Sequence, residues 1–288
     1  MRSVPPQPFL KWVGGKRALL DQIRPFVSAW REENPKGRYF EPFIGAGAVF
    51  FDLDPSVKKY GNDFNADLIE VYEVIRDNPK GLLRELKKHV NTPEHFYEVR
   101  GWDRRPNFQN RSPVSRAARF IYLNRTCFNG LYRVNRSGYF NVPFGNYKSP
   151  NYLNPENILS VSEFLNLNPK PKFYSGDYRK CTSNARQGDF VYLDPPYDPI
   201  SNTSSFTSYS NEGFGKDDQK DLRDEALRLT EIGATVLLSN SDTEFVRDIY
   251  SISNKFQIVS VKIHRGVGAS AASRGITNEL LIRNLEAK

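Results

Sequence analysis

The chain has 288 residues, 39% of them hydrophobic, a formal net charge of +8 and an isoelectric point of about 9.3, which allows a sizeable core and permits a polyanionic partner. No apolar run approaches the length of roughly 18 residues needed for a membrane span, and the Pro-rich start lacks a signal-type apolar stretch, so a cytoplasmic protein without a membrane partner is expected. Two cysteines outside any C-x-x-C pair, Cys127 and Cys181, read as packing residues; with three scattered histidines they argue against a disulfide scaffold, and no metal site is expected.

In chain order, Tyr39, Phe40, Phe43 and Ile44 form a short apolar run with strand character, broken by Gly45-Ala46-Gly47; Ala48-Val49-Phe50-Phe51 then reads as the start of a helix. A second strand over 59–62 ends at Asp63, and Asn65 is placed to cap a helix running to about Asp77. Strand, glycine-rich turn, helix, strand and acid in this order outline a nucleotide-type pocket at the carboxyl ends of parallel strands. Residues 78–168 differ in character, with helices expected over 80–89, 94–102 and 114–124, then an irregular, aromatic and basic stretch between Arg125 and Pro150. They read as an inserted, mostly helical subdomain carrying a functional loop. Alternation resumes with strands expected over 171–175, 189–193, 234–238, 257–261 and 279–284 and helices over 216–231 and 243–250. The expected fold is α/β: residues 1–77 and 169–288 form a mostly parallel sheet covered on both faces, with a Gly/Ser-rich loop, 266–275, before the last strand.

The strongest chemical signal is Asp194-Pro195-Pro196-Tyr197, directly after the apolar strand Phe190-Val191-Tyr192-Leu193. Two prolines stiffen the turn and remove amide hydrogens, leaving carbonyls to face a ligand. Asp194 and the Pro195 carbonyl can accept the two hydrogens of an exocyclic amine while Tyr197 stacks on the base. Such acceptance draws the nitrogen towards a tetrahedral shape and frees a lone pair otherwise conjugated into the ring, so the amine can attack a sulfonium methyl by direct displacement.

With these motifs in order, the chain resembles the Dam-type DNA adenine-N6 methyltransferases, in the subgroup where the cofactor motif precedes the target-recognition insert and DPPY follows it. The resemblance runs through Phe9-Leu10-Lys11-Trp12-Val13-Gly14-Gly15-Lys16, Phe40-Glu41-Pro42-Phe43-Ile44-Gly45-Ala46-Gly47, Asn129-Gly130-Leu131-Tyr132-Arg133, Phe140-Asn141-Val142-Pro143-Phe144-Gly145, the DPPY tetrapeptide and Leu237-Leu238-Ser239-Asn240. It implies a Rossmann-like S-adenosylmethionine-dependent methyltransferase fold and methylation of adenine N6 within GATC by base flipping. Trp12, Lys16, Phe43, Gly45, Ala46, Gly47, Asp63, Asp177, Tyr178 and Asp194 would then hold S-adenosyl-L-methionine. The glycines also suit a close backbone approach to a ligand, and Asp63 suits a ribose diol.

By the same resemblance, Arg133 and Lys11 would each read a guanine, Leu131 and Pro143 would contact bases, Phe128 would wedge into the gap left by the flipped adenine, and Asn129 would bond near it. After Phe144-Gly145, Asn146 stands where relatives usually carry Arg, a departure within the GATC-reading loop. Arg104, Arg105, Arg111, Arg116, Arg119, Arg125 and Arg136 make the insert basic, some towards phosphate and others paired; Arg265 and Arg274 would flank DNA from the Gly/Ser loop. Double-stranded DNA is the expected partner and a monomer the expected state; a cognate restriction endonuclease is compatible with this activity but not inferable from the sequence. The competing readings are N4-cytosine methylation, a DNA-binding module on an inactive methyltransferase fold, and methylation of RNA or of a protein glutamine.

Overall fold

Buried strands and amphipathic helices alternate along the chain, and in the computed structural model, which describes residues 6–198, 214–265 and 275–285, the strands form one seven-stranded sheet. Helix α1 (Leu20–Glu33) precedes strands β1 (Tyr39–Glu41) and β2 (Lys59–Asp63). Helices α2 (Ala66–Asp77), α3 (Pro79–Leu86), α4 (Pro93–Arg100), α5 (Pro113–Thr126) and α6 (Pro155–Asn166) follow. Then come β3 (Lys172–Ser175), α7 (Arg179–Thr182), β4 (Phe190–Leu193), α8 (Lys216–Glu231), β5 (Thr235–Ser241), α9 (Glu244–Ser251), β6 (Phe256–Arg265) and β7 (Gly275–Asn284).

The sheet order is β3-β2-β1-β4-β5-β7-β6, with β3 to β5 parallel and β7 antiparallel to both its neighbours. This is the doubly wound, Rossmann-like arrangement, and the strand order reverses between β1 and β4, which pair in register at Tyr39–Phe190 and Phe40–Val191. A ligand crevice belongs at the carboxyl ends of those two strands. The glycine turn leaves one of them and the DPPY tetrapeptide leaves the other. Side chains alternate across the sheet: Tyr39, Tyr192, Leu237 and Leu281 join one core with the helices of residues 66–166, and Phe40, Val191, Leu193, Leu238 and Leu280 join another under α8 and α9.

Helices α3 to α6 share one start signal. Asn78, Thr92, Ser112 and Asn154 each accept a first-turn N–H, and Pro79, Pro93, Pro113 and Pro155 follow them where a missing N–H costs nothing. Asn65 caps α2 as its sequence suggests, accepting from the Leu68 N–H at 3.2 Å. Helix α5 packs across α2 and α3, and α6 lies against α2.

Some expectations change. The helix expected at Ala48 does not form; Phe51 N donates to Gly47 O and Asp52 N to Val49 O in successive turns. Adjacent Phe50 and Phe51 are both buried, leaving no solvent face for an amphipathic helix, and Pro55 soon follows. Helices α1 and α6 were not anticipated, and β6 and β7 are longer than their apolar cores suggest, ten residues each. Of the Gly/Ser loop expected over 266–275, residues 266–274, Arg274 among them, lie outside the described residues, while Arg265 ends β6 and Gly275 begins β7. Among the described residues no helix is long and apolar enough to cross a membrane. Both cysteines are buried, and burial pushes the Cys127 thiol up to about 12.

Candidate active site

The turn after β1 is shaped by what packs on it. Gly45 and Gly47 have positive φ, +48° and +73°. A Cβ on Gly45 would lie 2.8 Å from the Trp12 indole, and one on Gly47 2.7 Å from the Tyr72 hydroxyl. The Tyr72 hydroxyl donates to Gly45 O at 2.9 Å. Asp63, at the end of β2, accepts from Gly45 N at 3.1 Å and Asn65 N at 3.0 Å, joining the acid to the turn and to the start of α2. Burial pushes its carboxyl up to about 6, against the pull of those two N–H groups. Phe64, beside it, is 70% exposed, a ring that sequence reasoning did not single out. Further along the crevice the Phe43 ring lies 5.3 Å from Tyr178 and meets Phe214 edge-on at 6.0 Å. Asp177 is exposed, accepts from Arg179 N at 2.8 Å and pairs with the Arg179 guanidinium. The Tyr178 hydroxyl is buried without a hydrogen-bond partner among the described residues.

Asp194 follows a strand buried at every residue. Its Oδ1 receives the Lys16 ammonium at 2.8 Å and the Ser239 hydroxyl at 2.9 Å; Ser239 is itself 2.9 Å from the Tyr192 hydroxyl. Among the described residues nothing bonds Oδ2. Lys16, buried, also donates to Gly14 O and stands 4.6 Å over the Tyr197 ring, whose hydroxyl donates to Glu279 at 2.7 Å. Gln219 donates to Pro196 O at 2.9 Å and is held by Asn240, whereas no described hydrogen bond reaches Pro195 O. Burial raises Asp194, and Lys16 and Ser239 pull it back down. Nearby Glu41 is raised well above the usual carboxylate range by burial and accepts from Tyr39 at 2.8 Å. Ser239, Glu279 and Gln219 complete the constellation although sequence reasoning assigned none of them a role.

The loop after α5 meets the amino-terminal segment beside this crevice. Buried Asn124 accepts from Lys11 N at 2.9 Å and donates to Lys11 O at 2.8 Å and Gly130 O at 3.1 Å. Lys11 packs so closely on Gly130 that a Cβ there would come within 2.4 Å, and its ammonium lies 4.0 Å over the Tyr147 ring. Phe128 is 47% exposed, Asn129 has φ +54°, and Phe128 N donates to Pro143 O at 2.9 Å. Arg133 is exposed, its Nε on Asn141 Oδ1 at 2.8 Å, while Leu131 is half-buried. The structure thus brings Lys11, Phe128, Asn129, Leu131 and Pro143 to one loop cluster with Arg133. Asn146 sits at φ +51°, a left-handed conformation that Asn tolerates better than Arg.

The insert's arginines divide by environment. Arg116 pairs with Glu70, buried Arg119 with Asp103 at 2.8 Å, and Arg125 donates to Phe9 O at 2.7 Å, so all three hold the fold. Arg104 pairs with Asp103 and donates to Phe140 O at 2.9 Å, Arg105 is exposed beside Glu98, and Arg111 lies over Trp102 at 3.7 Å.

Residues 12–267 match the family described as "D12 class N6 adenine-specific DNA methyltransferase". The chain is 44% identical over 280 residues to "Type II methyltransferase M1.LlaDCHI" of Lactococcus lactis subsp. cremoris, covering 96% of this chain and 95% of that one. It is 38% identical to "Type II methyltransferase M.MjaIII" of Methanocaldococcus jannaschii, covering 96% of this chain and 99% of that one. It is 37% identical to the "DNA adenine methylase" of Vibrio cholerae, covering 95% of this chain and 94% of that one.

Proposed function

The chain belongs to the D12 class N6 adenine-specific DNA methyltransferases, and from that premise we propose that it transfers methyl from S-adenosyl-L-methionine to adenine N6 in double-stranded GATC, acting as a monomer on a flipped-out base. The observation that carries the reading is the anchoring of Asp194. Lys16 and Ser239 both hold Oδ1, so Oδ2 and the Pro195 carbonyl remain as two acceptors at the switch point of the sheet.

The residues present fit the methyl donor. Asp63 offers a carboxylate to a ribose diol, Phe43, Tyr178 and exposed Phe64 offer rings to an adenine, and Trp12, Lys16 and the turn from Gly45 through Ala46 to Gly47 close over the crevice. When bound, S-adenosylmethionine supplies an electrophilic methyl on a sulfonium. The protein's part is orientation and charge. Asp194 Oδ2 and Pro195 O accept the two amine hydrogens, Pro196 is fixed by Gln219, and Tyr197 stacks on the base. Asp194 then takes the proton the methylated nitrogen sheds. Burial suits it to this, because an aspartate raised from the usual range holds a proton better than an exposed one.

Residues 78–168 serve as the recognition subdomain. Extruding a base costs a few kcal/mol, and Phe128, exposed beside the left-handed Asn129, is shaped to fill the gap. Lys11 and Arg133 read the two guanines, and Leu131 and Pro143 lie against bases. Replacing Asp194 with Ala tests the chemistry: turnover is abolished while DNA binding persists, and retained turnover would refute the acceptor role.

A further inference from the structure

Glu279 is a buried carboxylate on the inserted antiparallel strand, opposite Ser241 of β5 and Val261 of β6, with 3% of its surface exposed. A carboxylate in such a place is costly to desolvate, and an apolar residue would pack there with less loss. It lies close enough to raise Asp194 electrostatically, and its Oε2 accepts the Tyr197 hydroxyl at 2.7 Å. A phenolic O–H lies in the plane of its ring because the oxygen lone pair is conjugated with it. The acceptor therefore sets both the direction of the Tyr197 side chain and the plane of its ring. The Lys16 ammonium, 4.6 Å over the ring, meets the face that the edge contact presents.

We propose that Glu279 is a positioning residue for methyl transfer: by accepting the Tyr197 hydroxyl hydrogen it fixes the plane on which the target base stacks, so the amine arrives aligned with Asp194 Oδ2. This rests on the reading in which Tyr197 stacks on the base. A base held on a ring free to tilt would reach the reactive geometry less often, and misalignment of reacting groups lowers the chemical step more than it lowers binding. Glu279 thus acts through Tyr197.

The test is the single-turnover methylation rate at saturating DNA, with DNA affinity and melting temperature measured on the same variants. Tyr197→Phe and Glu279→Leu each slow the step about tenfold, equivalent to about 1.4 kcal/mol, with DNA affinity little changed and the melting temperature showing that each variant is folded. The double variant is no slower than the slower single one, because both remove the same bond. Glu279→Gln keeps most of the rate, since its amide oxygen accepts the same hydrogen. A wild-type rate for Glu279→Leu, losses that add in the double variant, or Glu279→Gln as slow as Glu279→Leu overturns the inference. If Glu279→Leu does not fold, Tyr197→Phe at the wild-type rate does the same. Tyr197→Ala separates the two levels: a wild-type rate there refutes the stacking reading itself, whereas its inactivity beside fully active Tyr197→Phe and Glu279→Leu refutes only the part given to Glu279.

Discussion

With Asp63 on the ribose diol as proposed, binding of the methyl donor depends on pH. Burial raises the Asp63 carboxyl to about 6, so in the free protein it is mostly protonated at pH 5 and mostly ionised at pH 7. The sign follows from its partners. Gly45 N and Asn65 N already donate to it, and a ribose diol would add two more donors, all of which favour the ionised form. Binding therefore strengthens as pH rises through 6. With ionised fractions near one-tenth at pH 5 and nine-tenths at pH 7, affinity rises about tenfold, or about 1.4 kcal/mol. His89 does not interfere, because burial lowers it to about 4. Equilibrium titration with S-adenosylhomocysteine between pH 5 and 7 reads the effect. Asp63→Asn weakens binding at pH 7 and flattens the profile. A flat wild-type profile, or an Asp63→Asn variant with the wild-type slope, would refute the assignment of Asp63 to the diol.

Other expectations can be checked on the same preparation. Ser239→Ala removes a hydrogen bond to an ionised acceptor, a loss of about 1.5–3 kcal/mol, so single-turnover methylation slows at least tenfold while donor affinity holds; an unchanged rate would count against the anchoring of Asp194. Arg133→Ala relaxes discrimination at one guanine by roughly 1–3 kcal/mol, read from rates on single-substituted duplexes, and an unaltered preference would remove Arg133 from base reading. Gly130→Ala forces a Cβ against Lys11 at positive φ, costing about 1–3 kcal/mol in melting experiments and loosening site preference with it; a silent substitution would show that Lys11 need not sit there. Raising salt weakens DNA binding with a log–log slope of roughly 0.9 per phosphate contacted, and a flat response would contradict a basic DNA-binding face.

What could be read from the sequence was local. The glycine turn, Asp63 and the DPPY tetrapeptide each carry their meaning within a few residues, and the alternation of strands and helices placed them at strand ends. The partners that orient Asp194 and Tyr197 were not legible in this way. Ser239 and Glu279 meet the DPPY turn because β5 lies beside β4 and β7 is inserted antiparallel beside β5, a register no local pattern specifies. The clamp of Asn124 on Lys11 spans 113 residues for the same reason. Helix α1 has little signature in the sequence because Pro25 lies inside it and only Ile23 and Trp30 are buried. Composition alone could not sort the arginines of the insert, since Arg119 is buried on a half-buried Asp103 whereas Arg105 is exposed beside an exposed Glu98.

The central claim is tested most directly by incubating the protein with labelled S-adenosylmethionine and a GATC duplex beside scrambled duplexes, then identifying the modified base by mass. The account predicts N6-methyladenine in the GATC duplex and none in the scrambled ones. N6-methyladenine in a different sequence would contradict the parts given to Lys11, Leu131, Arg133 and Pro143, and the absence of label from every duplex would contradict the proposed reaction itself.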